Sequence, residues 1–302
     1  MPAWTFDDIP DQTGRKVIVT GANTGIGLET ARALARKGAH VTLACRSLEK
    51  GKAALHSIAS DAPAATALLE QLDLSDLDNV AAFAERYAAR HDRLDLLILN
   101  AGVMVPPASK TAQRFELQFG VNHLGHFALT GALLQRLRTT GGARVVVVSS
   151  TAANMGKIVF DDLQFDKRGY APWPAYGQSK LANQLFAREL QRRFRAAGAS
   201  VLVTAAHPGW TATDLQRTSG FASFLSPLVG MKAPQGALPT LRAATDPEAS
   251  GGDYYGPDGF MQMRGYPKRV PMTKLAQDDG VASRLWEVSE ALTGVHYNLP
   301  AA

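Results

Sequence analysis

The 302-residue chain has a single cysteine, so no disulfide can form within it and the framework of small secreted domains is excluded. A reducing, cytoplasmic setting is the expectation. Long apolar runs are missing too: Gly, Pro or a charged residue breaks every stretch before the roughly 18 residues that a membrane segment needs. Met1 to Pro10 has neither the basic start nor the apolar centre of a secretory signal. Charge of one sign is also sparse, since 32 Lys and Arg face 27 Asp and Glu for a net +5. The densest basic run, Arg188 to Arg195, is spaced as the wet face of a helix rather than as a nucleic-acid patch. Metal ligands are few. His123 and His126 lie three apart on an expected helix, but no third ligand at a fitting spacing completes a site. Neither nucleic acid, nor metal, nor a membrane segment is therefore expected.

With 46% apolar residues the chain can bury a sizeable core, and no strong linker divides it, so one domain over residues 1–302 is expected. From Lys16 onward, short apolar runs alternate with stretches of helical period. Strands are expected at Lys16 to Thr20, His40 to Ala44, Ala67 to Leu72, Leu94 to Leu99, Arg144 to Ser149 and Ser200 to Thr204. Helices are expected at Gly27 to Lys37, Leu48 to Ala59, Asp76 to Arg90, Arg114 to Leu137 and Ala175 to Phe194, with Ser47 and Ser75 as N-caps and Asp78 completing a box with Ser75. Several strands are apolar on both faces, as in a parallel sheet covered on each side. The repeating unit implies an α/β fold with a doubly wound parallel sheet, the Rossmann fold. Residues 14–206 form its dinucleotide-binding and catalytic core. Thr151 to Pro174 and Gly209 to Pro234 break the rhythm just beyond strand ends, where such sheets bind ligands, and residues 209–234 are read as a substrate loop. Lys274 to Leu292 reads as a final helix.

Directly after the first strand comes Thr20-Gly21-Ala22-Asn23-Thr24-Gly25-Ile26-Gly27, opening a helix. Glycines there let the backbone approach a pyrophosphate, and the helix N-terminus offers oriented N–H donors. Gly21, Asn23, Thr24, Gly25, Ile26 and Gly27 are thus candidate cofactor contacts. Leu28 stands where a nucleotide-triphosphatase loop needs Lys. The second strand ends in Ala44-Cys45-Arg46, with no acidic side chain to receive a ribose 2′-hydroxyl, whereas Arg46 suits a 2′-phosphate. NADP(H) is therefore expected over NAD(H). Cys45 reads as a small buried filler.

Tyr176 and Lys180 lie four apart on an expected helix and share a face. A phenol of pKa about 10 is a poor catalyst near neutrality, and a nearby ammonium is expected to lower it. Tyr176 would then exchange a proton with a carbonyl or alcohol oxygen. Ser150, preferred over its competitor Ser149, follows the Val-rich strand and can hold that oxygen. Asn100-Ala101-Gly102 lets backbone pass close to the cofactor. Asn122, unfavourable inside a long helix, suggests a polar task.

Together these motifs resemble the short-chain dehydrogenase/reductase family, from about Gly14 to Leu215. Leu43 to Arg46, Asp162 to Phe165 and Ser179 to Asn183 are similar to its retinol-dehydrogenase-like and protochlorophyllide-reductase-like branch. The resemblance implies an oxidoreductase acting on a carbonyl or alcohol. In it Asn122 holds a water linking Lys180 to solvent, Lys180 grips the nicotinamide ribose, and Asp73 and Leu74 flank the adenine. Pro208, Gly209 and Thr213 border the nicotinamide, Thr213 meeting its carboxamide. Trp173, Trp210, Phe221 and Phe224 are candidates for an apolar substrate pocket. A catalytically idle NADP(H) sensor is the alternative, which Ser150, Tyr176 and Lys180 disfavour. Ser150 and Tyr176 are 26 positions apart, about twice the family's usual spacing. The extra residues, carrying Ile158, Val159, Phe160, Leu163 and Phe165, are expected to bulge near Tyr176 and cover a common dimer face, favouring a monomer.

Overall fold

The structure is a computed structural model that describes residues 3–211 and 231–301. Its centre is one eight-stranded sheet in the order β3-β2-β1-β4-β5-β6-β7-β8. The strands are β1 (Lys16–Thr20), β2 (His40–Cys45), β3 (Thr66–Gln71), β4 (Leu96–Leu99), β5 (Arg144–Val148), β6 (Leu202–Ala206), β7 (Tyr254–Pro257) and β8 (Pro267–Arg269). All neighbours pair in parallel except β7 and β8. The chain winds outward in opposite directions from β1 and β4, leaving a crevice between their C-terminal ends, as doubly wound sheets do.

Alternation within the strands divides two cores. Val17 and Val19 of β1 join Leu43, Ile98 and Val146 beneath α1 (Gly25–Arg36) and α2 (Leu48–Asp61). Ile18 turns the other way, toward Leu97, Val145 and Val147 under α3 (Leu77–Arg90). This double burial is why the strands read as continuous apolar runs.

Several elements depart from expectation. The capping residue of α3 is Asp76, whose carboxylate accepts from Asp78 N at 3.1 Å. Ser75 instead donates its hydroxyl to Asp73 at 2.6 Å. The run Arg114 to Leu137 is not one helix. It breaks into α4 (Leu117–Phe119), a π-helical turn (Gly120–Leu124), α5 (Gly125–Ala132) and α6 (Leu134–Thr139). Residues 118–130 are all buried, so no polar face marks the break in the sequence, and π turns cluster at functional sites. The helix carrying Tyr176 is α7 (Pro172–Ala196), with Pro at its start. After α8 (Ala233–Thr245) and the last two strands, a 3-10 turn at Lys274–Gln277 precedes α9 (Asp279–Thr293). Asp278 caps α9 through Val281 N, which splits the expected final helix.

Candidate active site

The ends of β1, β4, β5 and β6 deliver Gly21, Asn100, Ser149 and His207 to one edge. Gly21 has φ 68°, which favours glycine. A Cβ on Gly27 would stand 2.4 Å from the Gly21 carbonyl oxygen and 2.5 Å from Asn100 Nδ2. Thr20 ties the two strand ends together: its hydroxyl oxygen accepts from the N–H groups of Asn100 and Ala101, both at 2.9 Å. The α1 N-terminus differs from those of α2 and α3. Ser47 and Asp76 cap those two, but Thr24 makes no side-chain cap to α1, and no acidic residue occupies its first turn. Its orphan N–H groups suit an anion, above all a phosphate.

A cleft of about 310 Å³ runs along this edge. It is lined by Gly21, Asn23, Thr24, Gly25, Ile26 and Gly27 of the first turn, and by Arg46, Asp73 and Leu74 beyond β2 and β3. Asn100, Ala101, Gly102, Tyr176, Lys180 and Pro208 line the rest of it. Arg46 is exposed and makes no ion pair or side-chain hydrogen bond among the described residues. Gly209 borders a neighbouring cavity instead. Thr213, Phe221, Phe224 and most of the 209–234 loop lie outside the described residues.

Tyr176 and Lys180 lie on one face of α7, both buried. The neighbouring Ser150 hydroxyl lowers the Tyr176 phenol, yet burial dominates and pushes it up to about 12. The expected lowering by Lys180 is not found in the protein alone. Lys180 Nζ lies 5.8 Å from the Tyr176 ring centre and donates to the Val148 carbonyl at 3.3 Å. Burial also pulls the lysine down to about 8. Ser149 donates its hydroxyl to the Lys180 carbonyl at 2.7 Å. Asn122, in the π turn, accepts from Val103 N at 2.8 Å and donates to Val103 O at 3.0 Å, fixing the chain after Asn100-Ala101-Gly102. Its own carbonyl receives His126 Nδ1 at 3.0 Å. His126 is thereby a buried structural imidazole, and His123 bonds Ser289. Among the described residues no cluster could hold a metal.

Beside the cleft opens a cavity of about 780 Å³. Met104, Met155, Met261, Met263, Met272 and Trp173 give it an apolar wall, with Trp210 also lining it. Ile26, Ser149, Tyr176 and Pro208 border both spaces. The methionines after β7 escape sequence reading because they belong to no chemical motif. Their crowding in Phe260-Met-Gln-Met263 is the only signal. Gln118 is also missed: buried, it accepts from Val105 N at 2.9 Å and donates to Tyr170 and to the Pro172 carbonyl at the start of α7.

Residues 15–221 match the short chain dehydrogenase family. The chain belongs to that family. It is 45% identical to mouse retinol dehydrogenase 12 over 289 residues, covering 94% of this chain and 88% of the relative. Human retinol dehydrogenase 13 is 42% identical over 293 residues, with 93% and 85% covered. Among solved structures, an uncharacterized protein from Mycobacterium paratuberculosis is similar with a TM-score of 0.84 and 42% identity, over 99% of this chain and 100% of that one. A short chain dehydrogenase from Shigella flexneri, complexed with NADP, gives a TM-score of 0.64 and 26% identity, over 80% and 96%. The chain is thus an oxidoreductase of the retinol-dehydrogenase-like branch. No helix among the described residues is long and apolar enough to cross a membrane.

Proposed function

We propose that the protein transfers hydride between NADP(H) and a carbonyl or alcohol carbon of an apolar small molecule, in the cytoplasm. The carrying observation is that Tyr176 borders both the glycine-lined cleft and the methionine-lined cavity. The α1 N-terminus without a side-chain cap, the close approach at Gly27 and an Arg46 that makes no ion pair among the described residues together fit a dinucleotide with a 2′-phosphate. Arg46 would hold that phosphate, Asp73 and Leu74 would flank the adenine, and Lys180 would hold the nicotinamide ribose. Thr213, with Pro208 and Gly209, would border the nicotinamide. When bound, the dinucleotide supplies or accepts the hydride.

The protein's own residues manage the oxygen. Ser150 would hold it beside the Tyr176 hydroxyl, which gives the proton during reduction and takes it during oxidation. Near neutrality a phenol this buried stays protonated, the form that reduction needs. Asn122 would hold a water that links Lys180 to solvent. The methionine wall adapts to bulky apolar shapes, and retinal and retinol are first substrates to try because of the relatives' names. The test is a panel of aldehydes, ketones and alcohols with NADPH and NADP⁺, run beside Tyr176→Phe. Turnover that falls by roughly 10²-fold or more in the variant, with NADPH affinity nearly intact, is expected. NADPH binding without turnover of any panel member would leave the idle sensor instead.

A further inference from the structure

The turn between β7 and β8 holds two successive non-glycine residues in the left-handed region, Met261 at φ 50° and Gln262 at φ 57°. Such backbone is costly for residues that carry a Cβ and persists only where surroundings over-determine it. Two bonds close the turn internally, Gln262 N to Gly259 O at 2.9 Å and Met263 N to Phe260 O at 3.0 Å. Two more grip it from the end of β6. Trp210 N donates to Met263 O at 2.7 Å, and the His207 ring bonds Gln262 Oε1 at 2.9 Å.

The proton on His207 is fixed by its neighbours. Nδ1 accepts from Gly209 N at 3.3 Å, so Nε2 carries the hydrogen and donates to Gln262 Oε1. The ring is buried, and burial pulls it down to about 4, which keeps this neutral form. Strand β7 leaves room for it: a Cβ on Gly256 would stand 2.0 Å from His207 Nε2. A buried, singly oriented imidazole therefore bridges the strand end bearing Pro208 to the turn bearing Met261 and Met263. The first borders the cleft and the second forms substrate wall.

We propose that His207 is a positioning residue that sets the substrate wall through Gln262, holding Met261 and Met263 in register with the cofactor-side strand end. It moves no proton. The proposal rests on the functional reading above and adds to it the residue that shapes the pocket. In Gln262→Leu and His207→Asn, KM for the best panel substrate should rise about tenfold while NADPH Kd stays within about twofold. Gln262→Glu, which keeps an acceptor, should restore KM, and the double variant His207→Asn/Gln262→Leu should be no worse than either single one. Amide hydrogen exchange of residues 259–264 should quicken in both single variants, a readout that needs no turnover and so separates failure of the clamp from failure of the assigned activity. Additive losses, a parallel fall in NADPH affinity, or unchanged exchange would overturn the proposal. Should His207→Asn not fold, the Gln262 pair decides alone by the same KM and exchange readouts.

Discussion

Ser149 and Ser150, adjacent at the end of β5, take different partners on α7: Ser149 donates to the Lys180 carbonyl at 2.7 Å, while Ser150 neighbours the Tyr176 hydroxyl. The Ser149 hydroxyl is thus committed to the backbone of α7, whereas that of Ser150 stands beside the phenol. Ser150→Ala should therefore lower kcat by roughly 10²-fold with little change in melting temperature. Ser149→Ala should cost about 0.5–1.5 kcal/mol of stability and less activity. Steady-state kinetics beside thermal melts distinguish the two, and the reverse pattern would make Ser149 the oxygen-holding residue.

The two serines also show how far sequence reading reaches. The first strand, Lys16–Thr20, and the glycine turn after it were legible because strand, turn and helix each carry local signals that agree. The chain after Ala233 was much less so. Strand β7 is Tyr-Tyr-Gly-Pro and β8 is Pro-Lys-Arg, neither of them the apolar run that reveals β4. The π turn at Asn122 was invisible for another reason: residues 118–130 are all buried, so no polar face marks where the helical phase slips. In the candidate site, the side chains proposed to react are readable as motifs, whereas the depth of their burial is not. That burial is why the protein alone holds the Tyr176 phenol high rather than low.

Arg46 makes no ion pair or side-chain hydrogen bond among the described residues, and nothing acidic ends β2. Arg46→Asp should weaken NADPH relative to NADH by at least about tenfold, because a cation facing a dianionic phosphate becomes a repelling anion. Fluorescence titration of both cofactors measures it. Equal losses would mean that Arg46 supports the fold of the cleft rather than reading the 2′-phosphate.

Burying Lys180 costs stability. Burial pulls it from an ordinary 10.5 to about 8, so the folded protein binds its proton less tightly than the unfolded chain does. Between those values the unfolded state holds more protons, and stability rises with pH. Below about pH 8 the folded lysine is charged and its desolvation costs on the order of a few kcal/mol. Lys180→Met should thus raise the melting temperature near pH 7 and abolish turnover. The Val148 carbonyl remains bonded to Asn183 Nδ2 at 3.0 Å, so no orphan acceptor is created. The advantage of the variant should shrink as pH climbs from 8 toward 10.5. A gain that does not depend on pH would reject the electrostatic account.

The helices that carry Asn122 and Tyr176 are covered from within the chain. Ile158, Phe160 and Leu163 of the excursion before α7 pack with Leu181, Leu185 and Leu285. Phe165 is buried too, its ring beneath the Arg168 guanidinium. Helix α9 contributes more than the sequence suggested. Its Trp286 stands 5.1 Å from Phe127 and 4.5 Å from Tyr297, whose hydroxyl donates to the Phe127 carbonyl at 2.6 Å. Ser289 meets His123 at 2.9 Å, and Arg193 lies over the Trp286 ring. A second copy would have to displace this aromatic cluster to reach the same face. Trp286→Ala should cost about 3–5 kcal/mol, a loss that denaturant melts will read. The intact protein should run as a monomer at micromolar concentration in light scattering coupled to size-exclusion chromatography. A stable dimer or tetramer there would mean that association uses another face, and that covering by α9 and the excursion does not set the oligomeric state.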